Sequence, residues 1–244
     1  MAPRTLSDPE RLRRIHDWLA AAYGPQHWWP AETAFEVILG AYLTQNTSWK
    51  AVERSLANLR TAGALSIDGI RKLPAAKLQR LIRPSGFYTR KAPAIRAFVA
   101  LLDNEFGASL DRLAATPTET LRQRLLALPG VGDETADAIL LYALGHPVPV
   151  ADAYLRRLVE RHGLISTKSQ DHSATYAALV KLTRDAFSKD PHAKQALLFN
   201  EFHALTVAVG KAHCRSRAHC DGCPLAPDLP HAHRDISDQR ITIE

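Results

Sequence analysis

The sequence of 244 residues is 46% hydrophobic, which is enough to form a sizeable core in one domain or in two lobes. Lys and Arg total 31 against 25 acidic residues, and the net charge of +6 favours a polyanionic partner. No apolar run approaches the roughly 18 residues of a membrane span, and the N-terminus lacks the apolar core of a secretory signal. We therefore expect a soluble cytoplasmic protein with no membrane partner.

Apolar residues recur at helical spacing along most of the chain, and no segment shows the alternation typical of a β-strand. Glycine and proline separate the helical segments. The spacing therefore predicts an all-α fold, with helices at 9–22, 31–43, 48–61, 75–82, 89–106, 117–127, 133–144, 152–163, 172–187 and 191–209.

Residues 116–145 predict two helices joined by a tight turn. Thr116 and Glu119 have the spacing of a capping box at the start of the first helix. The Leu-Pro-Gly-Val-Gly turn at 128–132 is too rich in glycine and proline to stay helical, and the second helix begins near Asp133. Because the glycines leave the backbone bare, the turn amides can contact a phosphate without any preference for sequence.

An ordinary turn between two helices is the alternative interpretation of this segment. The full pattern Leu-Pro-Gly-Val-Gly-x-x-Thr-Ala, followed by Asp152 just after the second helix, favours DNA binding. The predicted DNA-contacting residues of the hairpin are Leu128, Pro129, Gly130, Val131, Gly132 and Thr135.

The hairpin and its trailing aspartate resemble the endonuclease III superfamily of helix-hairpin-helix (HhH-GPD) base-excision DNA glycosylases. Matching segments at 28–30, 42–50, 83–88 and 200–205 resemble the branch that includes 3-methyladenine DNA glycosylase III. The resemblance implies a six-helix, barrel-like lobe at 32–146 and a second helical lobe from 1–31 and 147–212. A cysteine-containing tail then follows at 213–244, and the active site is expected in the cleft between the lobes.

Asp152 is the predicted catalytic residue. An aspartate before an amphipathic helix is a favoured N-cap and needs no catalytic role to explain it. Capping and catalysis are compatible, however, because amides at a helix N-terminus favour the ionised carboxylate. Breaking an N-glycosidic bond builds positive charge on the sugar, and a carboxylate can stabilise that charge and orient the attacking water.

Glu134 occupies the position where strand-cleaving relatives carry a lysine nucleophile. A carboxylate cannot form the Schiff base that strand cleavage requires, so the resemblance implies a monofunctional glycosylase that uses water. Lys211 is an alternative amine from elsewhere in the chain, although a lysine near a metal-binding segment is more often a phosphate contact or a solvated charge.

Tryptophans indicate the class of base that is removed. The family flips its target nucleotide into a pocket, and indole faces stack best on a base that carries positive charge, such as an N3- or N7-alkylated purine. The resemblance places Trp28, Trp29, Pro30 and Trp49 in that pocket. The alternative is that the tandem tryptophans are core or interface residues, and this is expected for at least one of them.

Gln45 is expected, by the same resemblance, to enter the gap left by the flipped nucleotide, although an exposed loop residue is an equal alternative. Its donor and acceptor groups can meet the orphaned base. Candidates for phosphate contacts are Lys50, Arg54, Arg83, Arg90 and Lys91.

Three cysteines, Cys214, Cys220 and Cys223, fall within ten residues, a spacing typical of a metal site and not of a disulfide scaffold. The resemblance implies a [4Fe–4S] cluster, but its fourth cysteine is missing near Leu229. Asp228, His231 and His233 lie close enough in sequence to replace it. Three interpretations stay open: a cluster with a non-cysteine fourth ligand, a zinc site, and a remnant that holds no metal.

The sequence thus predicts a monofunctional DNA glycosylase that removes alkylated, 3-methyladenine-like purines from duplex DNA. A monomer associated with a prokaryotic nucleoid is expected. The alternatives are a glycosylase for another lesion or with lyase activity, and a non-catalytic helix-hairpin-helix protein that only binds DNA.

Overall fold

The computed structural model describes residues 6–165 and 171–229. Every secondary-structure element named within these residues is a helix. The predicted all-α class is confirmed. The chain divides into two compact units, one formed by Trp29–Val148 and the other by Met1–Trp28 with Pro149–Glu244. None of the described helices is both long and apolar enough to cross a membrane.

The Trp29–Val148 unit is built around α2 (Ala34–Thr44), whose residues from Phe35 to Leu43 are all buried. A helix that is apolar on all sides belongs in a core, and here it packs against α3, α6 and the last helical segment of the unit. The helices that follow α2 are α3 (Trp49–Thr61), α4 (Ile67–Lys72), α5 (Ala75–Leu81), α6 (Tyr88–Phe106), α7 (Leu110–Ala114), α8 (Thr118–Leu126) and α9 (Asp133–Ala138), with α9 continuing as a π-helix over Ile139–Ala143.

The other unit contains α1 (Asp8–Tyr23), α10 (Ala153–Arg161), α11 (His172–Ala186) and α12 (His192–Ala212). Its long helix α12 packs against both α1 and α10. Aromatic rings fill the contact with α1, where His16 lies 5.2 Å from Phe187 between ring centroids and 6.1 Å from Phe202. The segment after α12 contains a short 3₁₀ helix at Ala226–Asp228, whereas His231 and His233 lie outside the described residues.

Two short helices, α4 and α7, were not predicted from the apolar spacing. Each has fewer than seven residues, so neither completes the two turns that make a helical period visible. Ser66 caps α4 and Ser109 caps α7 with side-chain acceptors. The predicted capping box at α8 is wrong, because the Thr116 hydroxyl donates to the carbonyl of Arg112.

Candidate functional site

The turn between α8 and α9 presents bare backbone, as the sequence predicts. Gly130 has φ of 73°, a left-handed conformation that favours glycine. Gly132 is the extended N-cap residue of α9, and it has no side chain to occupy the first amides of that helix. Space for a Cβ at Gly132 is open, so a ligand can approach the amides closely. The geometry suits an anion such as a DNA phosphate.

The remaining hairpin residues divide into exposed and buried positions. Pro129 and Glu134 are exposed, whereas the side chains of Val131 and Thr135 are buried. Val131 and Thr135 could therefore contact DNA only through their main chains. Glu134 lies in the first turn of α9, where a lysine would be needed for lyase chemistry.

Arg122 joins the two hairpin helices, a contact that the sequence analysis missed. Its guanidinium donates to Asp137 at 2.7 and 3.1 Å and to Asp133 at 2.6 Å. Asp137 is only 1% exposed. The hydrogen bonds and charge of these carboxylates raise the pKa of Arg122 despite its burial. The hairpin is therefore held by a largely buried, charge-assisted network.

Gln45 lies directly beside the hairpin turn. Its side-chain amide donates to the carbonyl of Gly130 and to the hydroxyl of Thr135, both at 2.9 Å. The predicted insertion of Gln45 into DNA stays a prediction. The structure adds that this side chain also supports the turn that carries the bare amides.

Lys91 lies beneath Gln45 and not on the surface, so its assignment as a phosphate contact is wrong. The side chain is buried, and its ammonium donates to the carbonyls of Leu43, Gln45 and Ser85 at 2.8–2.9 Å. Burial lowers the pKa of Lys91 to about 8. The ammonium donates to carbonyls at the end of α2, where a helix leaves its last carbonyls without partners inside the helix. The other candidates, Lys50, Arg54, Arg83 and Arg90, are exposed.

Phe87 is an exposed aromatic residue in the segment 83–88, and the sequence predicted no role for it. It is 56% exposed and has a left-handed φ of 43°, which is unfavourable for a bulky residue. Its ring centroid lies 6.0 Å from the ammonium of Lys91. The buried ammonium of Lys91 therefore holds two backbone segments, one at Gln45 and one at Ser85, which is two residues before Phe87.

The predicted pocket residues fall into two groups. Trp29 and Trp49 meet edge to face, with ring centroids 5.3 Å apart, and Trp29 also contacts Tyr142. A Cβ on Gly40 would lie 3.1 Å from the indole of Trp29, so the glycine permits this close packing. Pro30 and Trp49 line an open hollow together with the carboxylates of Glu32, Glu36 and Glu53.

Trp28 belongs to the other unit and stacks on a histidine. Its ring lies 5.4 Å from that of His203 at an interplanar angle of 21°. The ammonium of Lys211 is 6.0 Å from the Trp28 ring centroid. Lys211 also lines a hollow with Tyr154, Arg157 and Arg215, which places it among other cations.

Asp152 is the N-cap of α10, and its carboxylate is largely buried. Oδ1 accepts hydrogen bonds from the amides of Tyr154 and Leu155, both at 2.9 Å. Oδ2 lies 3.4 Å from Nε2 of His203. Burial pushes the pKa of Asp152 upward, but His203 and the two amides outweigh it, so the pKa lies below its ordinary value. The carboxylate is therefore ionised at neutral pH.

Gly210 allows α12 to approach the start of α10. A Cβ on Gly210 would lie 2.2 Å from Cδ1 of Tyr154, which is closer than packed atoms tolerate. The close approach fixes the backbone that carries the capping amide of Tyr154. It also brings the His203 helix against the Asp152 helix. The His203 contact was not predicted, because the sequence analysis treated 200–205 only as a matching segment.

The three cysteines lie close together but do not form a metal site with the described residues. Cys214, Cys220 and Cys223 line one apolar hollow, and Leu229, at the place of the missing ligand, lines the same hollow. Arg161 donates to Sγ of Cys214 at 3.0 Å. Among residues 6–165 and 171–229, no three His, Cys, Asp or Glu side chains are arranged to hold a metal ion. The described residues do not fit a four-ligand cluster or zinc site, and the proposed chemistry uses none.

Asp228, a candidate fourth ligand, instead pairs with basic residues of its own unit. Its carboxylate accepts from Arg11 at 2.9 Å and from Arg14 at 2.5 Å, and lies 3.1 Å from Nδ1 of His162. The side chain is 2% exposed. This network fastens the segment after the cysteines to α1 and to the end of α10.

Acid should selectively weaken this network. Burial acts to raise the pKa of Asp228, but the hydrogen bonds from His162, Arg11 and Arg14 lower it to about 2. Its stabilisation, about 2 kcal/mol, is present above the ordinary carboxyl pKa and is lost as the pH falls from about 4 to about 2. Urea unfolding at several pH values should therefore show that Asp228→Asn loses less stability than the wild type as the pH falls across that range. Asp185→Asn, at an exposed ion pair with Lys181, is the control and should match the wild type.

The bare turn between α8 and α9, in an all-helical fold, is suited to binding the phosphate backbone of DNA. The model of HhH-GPD superfamily base excision DNA repair proteins matches residues 39–185. The chain belongs to this superfamily, and it is a DNA N-glycosylase of DNA repair.

Individual relatives agree with the family. A protein of Methanocaldococcus jannaschii, provisionally named a DNA repair glycosylase, is 41% identical over 218 residues, which are 88% of this chain and 94% of its own. The structure of H. pylori 3-methyladenine DNA glycosylase (MagIII) bound to 1,N6-ethenoadenine is similar at 29% identity and a TM-score of 0.71, over 85% of this chain and 98% of that one. A non-covalent endonuclease III–DNA complex shares the fold, with a TM-score of 0.74 at 19% identity over 96% of this chain and 100% of that one.

Proposed function

We propose that the chain is a monofunctional glycosylase that removes alkylated purines from duplex DNA by hydrolysis. The observation that carries the proposal is the geometry of Asp152, a buried carboxylate whose pKa is lowered by His203 and two helix amides. An ionised carboxylate is the group that the reaction needs, because positive charge develops on the sugar as the base leaves.

The chemical step begins with the N-glycosidic bond, whose electron pair leaves with the base. Water adds to C1′ of the sugar and loses a proton, so the products are the free base and an abasic site. Asp152 would stabilise the sugar cation and orient this water. Only Oδ2 is available for these tasks, since Oδ1 already accepts two amide hydrogen bonds.

Hydrolysis without strand cleavage is supported by Glu134. The exposed carboxylate of Glu134 lies in the first turn of α9, at the position where lyase chemistry needs an amine. Lys211 is the alternative amine, and it lies beside Trp28 in the unit that contains Asp152. Borohydride trapping on damaged DNA should give no covalent adduct with the wild type. An adduct that Lys211→Met abolishes would support the lyase alternative instead.

The proposed specificity for alkylated purines is supported by the indole rings of the chain and by the substrate for which one similar enzyme is named. Indole faces favour cationic bases, and an alkylated purine is also an activated leaving group. The similar H. pylori enzyme is named for 3-methyladenine and was solved with 1,N6-ethenoadenine. We propose that Trp28, Trp29, Pro30 and Trp49 each contact the flipped base.

A panel of lesions tests the specificity. Duplexes carrying 3-methyladenine, 7-methylguanine, 1,N6-ethenoadenine, hypoxanthine, uracil mismatches or oxidised pyrimidines are compared under single-turnover conditions. Release of the alkylated purines is expected to be fastest. Release of oxidised pyrimidines alone would overturn the alkylpurine proposal, and binding without release of any base would support a DNA-binding protein. Asp152→Asn, purified in parallel, controls for contaminating glycosylases.

A further inference from the structure

His203 contacts two groups of the proposed site, the carboxylate of Asp152 and the indole of Trp28. Its Nε2 lies 3.4 Å from Oδ2 of Asp152, the carboxylate oxygen that no amide occupies. Its ring stacks nearly parallel to the indole of Trp28. His203 is 7% exposed, so both contacts are made in a desolvated setting where electrostatic interactions are strong.

The charged residues around His203 and Trp28 belong to the start of α10 and to α12. Asp152 faces it from the start of α10, and Lys211 lies further along α12, near the same indole. Glu201, also on α12, accepts a hydrogen bond from the amide of Gln26 at 2.7 Å and so helps to hold the segment that carries Trp28. Asp152 is thus the carboxylate that faces the imidazole, and the chain segment bearing the indole is fastened to the same helix.

We propose that His203 is a positioning residue for base release, which holds Oδ2 of Asp152 and the indole of Trp28 in a fixed relation to each other. The inference rests on the proposed function, since it requires Asp152 to act on the sugar. Without a partner at Oδ2, burial would favour the protonated carboxyl group, which cannot stabilise a cation. His203 therefore maintains the ionised carboxylate and aligns it with the stacking surface.

Two substitutions separate the tasks of this side chain. His203→Gln retains an N–H donor near the position of Nε2 but loses the ring. His203→Phe retains a ring that can stack on Trp28 but loses the donor. His16→Phe is a matched control, because His16 is another buried histidine that packs on aromatic rings and has an aspartate neighbour.

The measurement is the single-turnover rate constant for release of 1,N6-ethenoadenine, or of the best substrate in the panel, as a function of pH. His203→Phe should release base about 10- to 100-fold more slowly at neutral pH, because the loss of a polar partner from a buried charged group has a cost of this order. Its rate should also begin to fall at a higher pH on acidification, because the pKa of Asp152 is no longer held down by His203. His203→Gln should restore much of the rate, and His16→Phe should keep the wild-type pH profile.

Two results would overturn the inference. One is a wild-type rate and pH profile in both His203 variants. The other is an equal loss of rate in both variants with an unchanged pH profile and a lower melting temperature, which would indicate packing alone. Failure of the proposed function is distinguishable, because the wild type would then release no base from any lesion.

If the wild type releases no base, the contact between His203 and Asp152 can still be tested by a stability measurement without substrate. As the pH rises from strongly acidic values through the ordinary carboxyl pKa, the wild type should gain more stability than His203→Phe, since a lowered carboxyl pKa stabilises the folded state above it. This difference should vanish when both proteins also carry Asp152→Asn. An undiminished difference in that background would contradict the contact between His203 and Asp152.

Discussion

Replacing Asp152 by asparagine is expected to lower the rate constant for base release by about 10²- to 10⁴-fold, with little change in stability. Asparagine is as good an N-cap as aspartate, so the hydrogen bonds to the amides of Tyr154 and Leu155 can persist. What disappears is the negative charge that faces the developing sugar cation. Single-turnover kinetics and thermal unfolding of the same preparation measure the two effects separately.

The control is Asp171→Asn, because Asp171 is also an N-cap aspartate. Its carboxylate accepts from the amide of Ala174 at 2.7 Å at the start of α11, where it is exposed. The two substitutions make the same chemical change at the same helix position, so a rate loss in Asp152→Asn alone isolates catalysis from capping. Wild-type base release by Asp152→Asn would show that another group stabilises the cation.

The pH dependence of the wild type follows from the lowered pKa of Asp152. The carboxylate stays ionised as the pH falls below the ordinary range of an aspartate, and activity is lost only when the pH passes its lowered pKa. On the acidic side of the pH–rate profile, the rate constant for base release should therefore stay constant from neutral pH into the mildly acidic range. A rate that already falls near pH 6 would indicate that a different group titrates.

The sequence predicts the parts of the fold that depend on local chemistry. The hairpin was found because Gly130 and Gly132 interrupt helical periodicity within a few residues, and Asp152 because an N-cap is recognisable from its neighbours. Helix α2 was found because its apolar run is long. In each case, the signal and the structure it specifies lie within a dozen positions of each other.

The contacts that were missed join distant positions. Arg11 and Asp228 are 217 positions apart, and nothing near either residue indicates the other. Lys91 has the sequence context of a surface lysine, yet the carbonyls that bury it come from 46 and 48 positions earlier as well as from the nearby Ser85. His203 and Asp152 lie far apart in the sequence and meet where α12 packs closely on Tyr154 at Gly210, and neither residue indicates the other in the sequence. Tertiary packing decides these pairings, and a single sequence does not show it.

Loss of Arg122 from its network with Asp133 and Asp137 is expected to have a large effect on stability and on DNA binding. Arg122→Met should lower the free energy of unfolding by about 3–5 kcal/mol, because it removes one member of a buried ion pair, the guanidinium that donates to the Asp137 carboxylate. It should also weaken DNA binding, since Arg122 is the residue that ties α8 to both Asp133 and Asp137 of α9. Urea unfolding and the affinity for an undamaged duplex are the measurements.

Arg124→Met is the matched control on the same helix. Arg124 is 56% exposed in its side chain and pairs with Glu105 at 3.6 Å, so its loss should cost no more than about 1 kcal/mol. The double variant Arg122→Met with Asp137→Leu removes both charges and should recover much of the lost stability, because replacing a whole buried ion pair by apolar groups is often close to neutral. If the double variant regains stability but not DNA affinity, the network serves to hold the hairpin amides in place for DNA. If Arg122→Met is as stable as Arg124→Met, the carboxylate of Asp137 does not depend on this arginine, and the prediction is wrong.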